Sequence, residues 1–189
     1  NTPGNLRVHG FTDNHTNTKA EWNYYIDPVA TKIVFDSGVP ITLVPLDATN
    51  KVPLTKGFVE NLKGPSPKPL EAFALRVFEN ITKSTTNGEY FHWDPLTAAV
   101  ASNPKLCDKT ERMNLTIIAD PGKDTGLSNG QSPDLFPFTN AIGKRRNALN
   151  ELAAGATVKS NSGKPIDVCM HVDASLFEKQ FIETLRSSN

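Results

Sequence analysis

Glu21 and Asn23 flank Trp22 in the stretch Ala20-Glu21-Trp22-Asn23. A carboxylate beside an amide suits a polyol, because a sugar hydroxyl both donates and accepts hydrogen bonds. In an extended or loop segment, residues two apart point their side chains the same way, so the pair is expected to converge on one ligand. The preceding loop, residues 11–19, is rich in Asn, Asp and Thr and is expected to share the rim of such a site. Taken locally, the simpler role for Glu21 and Asn23 is to cap the helix that follows.

Two further groups could carry chemistry. His92-Trp93-Asp94 precedes an apolar helical pattern, where free backbone amides and local positive potential are available. Asp94 would cap that helix or bind a metal; Trp93 would fill the core or stack on a flat ligand. Asp120-Pro121-Gly122-Lys123-Asp124 follows a strand pattern, and paired carboxylates suit a hard divalent cation. With only two carboxylates and Lys123 between them, a surface turn is the simpler reading. His9, His15, His92 and His171 are scattered, and there is no Gly-rich phosphate loop, G-x-S-x-G elbow or Cys/His cluster. P-loop enzymes, serine and cysteine hydrolases and zinc proteins are therefore poorly supported.

The elements that must position these groups alternate between helix and strand. Asp27-Pro28 is a helix start, with Val29, Ile33 and Val34 as one apolar face and Gly38 as the stop. Residues 41–46 read as a buried strand, followed by a turn or loop at 47–57 and a short helix around 55–62. Three prolines at 64–69 break the pattern. The clearest helix spans 70–83, with Leu70, Phe73, Ala74, Val77, Phe78 and Ile81 at the spacing of a buried stripe. Asp94-Pro95 repeats the Asp-Pro start, with Leu96, Ala99 and Val100 inward. Residues 113–120 form a second strand candidate, 121–138 a long Gly/Pro/Ser loop and 139–154 a helix. Residues 155–173 read as a two-strand ribbon turning near Ser162-Gly163, and an amphipathic helix follows. The fold class is α/β, a mixed sheet with flanking helices in a single domain over 1–189.

Balanced charge, with 20 Lys+Arg against 20 Asp+Glu, gives no field that would draw the chain to nucleic acid or an anionic membrane. Lys144-Arg145-Arg146 reads as a solvated helix face. No apolar run approaches the roughly 20 residues that span a bilayer. The chain opens Asn-Thr-Pro-Gly-Asn without an initiating Met, and is expected to be a processed product or a piece of a longer one. Cys107 and Cys169 either pair or remain buried thiols. Sequons at Asn14, Asn80 and Asn114 lean towards a secreted or endomembrane protein, although a chain rich in Asn, Ser and Thr also produces them by chance.

The run AEWNYYIDPVATKIVFDSGVPITLVPLDATN, followed by YFHWDPLTAAVASNPKLC and PIDVCMHVDASLFEKQFIETL, resembles the inosine–uridine-preferring nucleoside hydrolases. The three blocks follow the family's order and correspond to its C-terminal part, implying a partial nucleoside-hydrolase-like fold. The resemblance implies that Glu21 and Asn23, with Trp22 between them, hold the ribose hydroxyls, joined by Asn14 or Asn17 from the loop. It implies that Asp94 ligates a catalytic Ca2+ and helps bind ribose. Trp93 stands where inosine–uridine-preferring members have histidine and purine-preferring members have a base-stacking tryptophan; His92 is one residue off that position. The family's N-terminal aspartate run, which supplies most calcium ligands and the base that activates water, does not occur here. Asp120–Asp124 is no substitute, since it follows the Asp94 block. The expected ligand is a nucleoside or ribose. The expected activity is hydrolysis of the N-glycosidic bond when the site is complete, the chain alone being inactive. A non-catalytic ribose- or nucleoside-binding protein, or a structural one, is the alternative. Strands missing from an α/β sheet leave apolar faces bare, so a companion N-terminal chain or a homo-oligomer is expected as cover.

Overall fold

A computed structural model describes residues 2–4, 17–85, 88–119 and 154–187. The chain divides into two compact units, one comprising residues 1–46 and 111–168, the other 47–110 and 169–189.

In the first unit, α1 (Trp22–Ile26) and α2 (Pro28–Asp36) precede β1 (Thr42–Leu43). The Asp-Pro start forms as expected: Asp27 Oδ1 accepts from the Ala30 amide at 2.9 Å, with Pro28 as the first helical residue. Gly38 follows at φ 79°, a left-handed position that suits a residue without Cβ. The expected apolar face is not the buried one. Ile33 and Val34 are 66% and 53% exposed, whereas Phe35 is buried edge-on to Tyr24 of α1. Lys32 reaches Asp36 and Thr116 on the same flank, so aromatic packing and an ion pair set the rotation of α2.

The expected strand at 41–46 shrinks to two residues, because Leu46–Thr49 folds as the short helix α3 where a turn or loop was expected. The sheet has the order β1-β4-β2-β3, with β2 at Lys109–Ile117, β3 at Thr157–Lys159 and β4 at Lys164–His171. β1 runs parallel to β4, with Thr42 opposite Asp167, and β3 runs antiparallel to β2, with Leu115 opposite Lys159. The ribbon expected over 155–173 is therefore two strands that do not pair, since β2 lies between them. Gly163 makes the step possible: a Cβ there would come within 2.7 Å of the Leu115 carbonyl oxygen. The loop at 121–138, most of the helix at 139–154, Asp120–Asp124 and Lys144–Arg146 lie outside the described residues.

The second unit is helical. It contains α4 (Lys56–Leu62), α5 (Pro69–Ser84), α6 (Trp93–Ser102), a 3-10 turn at Pro104–Leu106 and α7 (Ala174–Ser187). Thr55 caps α4 through the Phe58 amide, and Asp173 accepts from the Leu176 amide at the start of α7. The core gathers Leu54, Phe58, Val59, Leu62, Phe78 and Ile182. α5 presents Glu71, Ala74, Leu75, Phe78 and Ile81 inward and leaves Leu70, Phe73 and Val77 exposed. The stripe read from the sequence is thus turned, and the buried Glu71 accounts for it: its carboxylate is held by Arg186 of α7 at 2.9 Å. Cys107 and Cys169 form a disulfide, which settles the choice between pairing and free thiols.

Candidate functional site

The Glu21 group belongs to the first unit. Trp22–Ile26 is helical, with Glu21 in the N-cap position, so the same-side rule for an extended segment does not apply. Glu21 makes no side-chain capping hydrogen bond to its own helix. Its Oε1 instead accepts from the amide of Leu46, the first residue of α3, at 2.8 Å. Local capping is thus right in kind but serves a different helix. Trp22 is half-buried, and Asn23 is exposed one position further along. Asn17 is buried: its Nδ2 donates to the Ala154 carbonyl, and its Oδ1 accepts from the Lys19 amide, each at 2.9 Å. Asn14 lies outside the described residues.

Gly155 packs closely against this helix. It sits at φ 83°, and a Cβ there would fall 2.5 Å from the backbone of Tyr24. Asn17 grips the neighbouring Ala154, so residues 154–155 fasten both the loop end and α1. A sequence offers little sign of this, since Gly155 reads as ordinary turn punctuation.

The His92-Trp93-Asp94 group belongs to the second unit. The backbone before α6 is fixed by short β-like bonds: the Leu54 amide donates to the Tyr90 carbonyl at 2.6 Å and the His92 amide to the Val52 carbonyl at 3.0 Å. Helix α6 begins at Trp93 with His92 as N-cap, two residues earlier than an Asp-Pro start requires. Proline is tolerated within a first turn because amides there have no intrahelical partner. Asp94 is therefore in the first turn and exposed, not the cap. Trp93 donates from Nε1 to Asn50 Oδ1 at 3.2 Å and packs against the rings of Tyr90 and Phe91, at 4.7 and 5.8 Å between centroids.

His92 points the other way, into the core. Its ring centroid is 4.6 Å from that of Phe58, 5.3 Å from that of Phe177 and 5.4 Å from that of Phe78. Neither ring nitrogen has a hydrogen-bond partner among the described residues. Burial lowers its pKa to about 4, so it is neutral near pH 7. His171 is exposed, 2.7 Å from Asp108.

Among the described residues no three His, Cys, Asp or Glu side chains gather so as to hold a metal ion. Asp94 brings one carboxylate, whereas a calcium ion takes six to eight oxygens. The described residues therefore do not fit a complete calcium site.

The model of the inosine-uridine preferring nucleoside hydrolases matches residues 4–179, and the chain belongs to that family. It is 36% identical over 148 residues to nucleoside hydrolase 3 of Arabidopsis thaliana, an alignment covering 69% of the chain and 16% of that protein. With the inosine-uridine preferring nucleoside hydrolase of Leishmania major it shares 29% over 124 residues, covering 63% of the chain and 38% of the relative. Among solved structures, an inosine-guanosine nucleoside hydrolase superposes with a TM-score of 0.64 at 18% identity, covering 96% of the chain and 50% of that structure. A purine-preferring ribonucleoside hydrolase from Gardnerella vaginalis gives 0.60 at 23%, covering 90% and 47%. The chain thus spans half or less of each, and the mixed α/β architecture is that of the nucleoside hydrolases.

Proposed function

We propose that this chain supplies the ribose-holding and base-stacking groups of a nucleoside hydrolase site. Hydrolysis of the N-glycosidic bond then needs carboxylates from elsewhere, from a companion N-terminal portion. The observation that carries this reading is the Trp93-Asp94 pair. Asn50, Tyr90 and Phe91 hold the Trp93 indole, while the next residue presents an exposed carboxylate at a helix start. An indole held in this way gives a nucleobase a face to stack on, and the Asp94 carboxylate can accept from a ribose hydroxyl.

Glu21, Asn23 and Trp22 act as the ribose clamp, with Asn17 fastening the loop through Ala154 and Asn14 taking the remaining hydroxyl contact. In the complete site a calcium ion would position ribose and water; Asp94 is the residue here that would meet it. The substrate class is a ribonucleoside, and the products are base and ribose. No nucleic acid is expected as partner, given the balanced charge. No helix among the described residues is long and apolar enough to cross a membrane.

The test is ribose release from inosine by the purified chain with added calcium, after intact mass has established that no companion chain is present. No release is expected. Turnover in homogeneous material, lost on Asp94→Ala, would overturn the proposal that the chain alone is inactive. A second reading, a non-catalytic ribose- or nucleoside-binding protein or a structural one, draws on the lack of a three-ligand metal group among the described residues. Calorimetry with ribose and with inosine, each with and without calcium, separates these: binding without turnover supports a binder, and no heat or melting shift leaves the structural role.

A further inference from the structure

We propose that Asn80 and Asn114 are acceptors for N-linked glycans. Each begins an Asn-x-Thr sequon, Asn80-Ile81-Thr82 and Asn114-Leu115-Thr116. The triplets alone would mean little in a chain rich in Asn, Ser and Thr; the structure adds two independent observations.

The first is orientation. β2 alternates, with Met113, Leu115 and Ile117 buried and Asn114 exposed between them. Asn114 lines a shallow, open depression of about 320 Å³ together with Arg112, Met113, Lys159, Ser160 and Asn161. On α5, Phe78 and Ile81 turn inward, and Asn80 continues the outward face that carries Phe73 and Val77. A bulky polar group on either asparagine meets no core packing. On Asn80 it would also stand one turn from exposed apolar side chains.

The second observation is the Cys107–Cys169 disulfide. Disulfides form and persist in oxidising compartments, and the lumen that forms them is also where sequons are glycosylated. A transfer before folding makes the later helix or strand around the acceptor no obstacle.

In the reaction, asparagine Nδ2 forms a bond to the anomeric carbon of a polyprenyl-diphosphate-linked oligosaccharide. The carbon–oxygen bond to the diphosphate breaks with its electron pair on the leaving diphosphate, and the amide loses one proton to solvent. No oxidant or reductant is needed.

The experiment is secretion of the full chain from eukaryotic cells, digestion with a peptide N-glycosidase in heavy-oxygen water, and peptide mapping without reduction. The expected result is labelled aspartate at positions 80 and 114, together with the Cys107–Cys169 peptide pair. The label disappears from one site only in Asn80→Gln and from the other only in Asn114→Gln. Unmodified asparagine at either position in secreted chain overturns that site, and unmodified asparagine at both overturns the proposal.

Discussion

Arg186 donates from Nε to Glu71 Oε1 at 2.9 Å, and Glu71 is only 3% exposed. The same guanidinium donates from Nη2 to the Asn61 carbonyl, and Glu71 Oε2 accepts from the Lys68 amide. One ion pair thus joins the end of α7 to the start of α5 and to the last turn of α4. Removing the cation would leave a buried carboxylate without its partner. Because Arg186 is itself half-exposed, the cost is less than for a fully buried pair. Arg186→Ala should lower the unfolding free energy by about 2 kcal/mol, read as a lower urea midpoint at unchanged slope. An unmoved midpoint would mean that solvent already compensates Glu71.

His92 gives the helical unit a defined sensitivity to acid. Burial holds its pKa at about 4, against 6.5 for the free side chain. Above the unfolded value neither state is protonated there, and the group contributes no slope. As pH falls from about 6.5 towards 4, the unfolded chain takes up a proton that the folded chain refuses, so stability declines. The full window is worth about 3 kcal/mol. His92→Phe should flatten this decline, read as the difference between the urea midpoints of variant and parent at pH 7 and pH 4. Parallel curves would show that His92 reaches water or a partner.

Gly155→Ala tests how the candidate ribose clamp is held. The substitution combines a left-handed backbone with a Cβ pressed on the Tyr24 carbonyl. Together these should cost about 3 kcal/mol. The expected readout is a lower melting temperature together with faster amide exchange in α1. A variant as stable as its parent, with α1 unaltered, would show that residues 154–155 do not fasten that helix.

The parts legible from sequence were those set by short-range rules. Asp27-Pro28 stands next to the amide it must cap, Gly38 occupies the turn it must make, and residues 69–84 carry too long a periodic pattern to be anything but helix. Helix rotation was not legible, because it depends on distant partners. Glu71 enters the core through Arg186, more than a hundred residues away, and Phe35 is drawn inward by Tyr24. The ribbon failed for a related reason: a short turn at Ser162-Gly163 suggests a hairpin, and only the position of β2 shows that the loop steps across another strand. Family resemblance supplied roles that local chemistry could not. Capping and ligand binding ask for the same carboxylate at Glu21, and nothing within ten residues of it reveals the Leu46 amide.

The parallel pairing of Thr42 with Asp167 carries a kinetic consequence. Because β1 waits for β4, the sheet cannot close until residues 164–171 have left the ribosome. Pairings this distant in sequence impose a large loop-closure cost before any contact offsets it, and they slow folding. The helices between 56 and 102 can begin to form early from their own backbone bonds, before α7 completes their core, while β1 stands with both edges open. During that interval the short apolar run around Leu43 is open to chaperone binding.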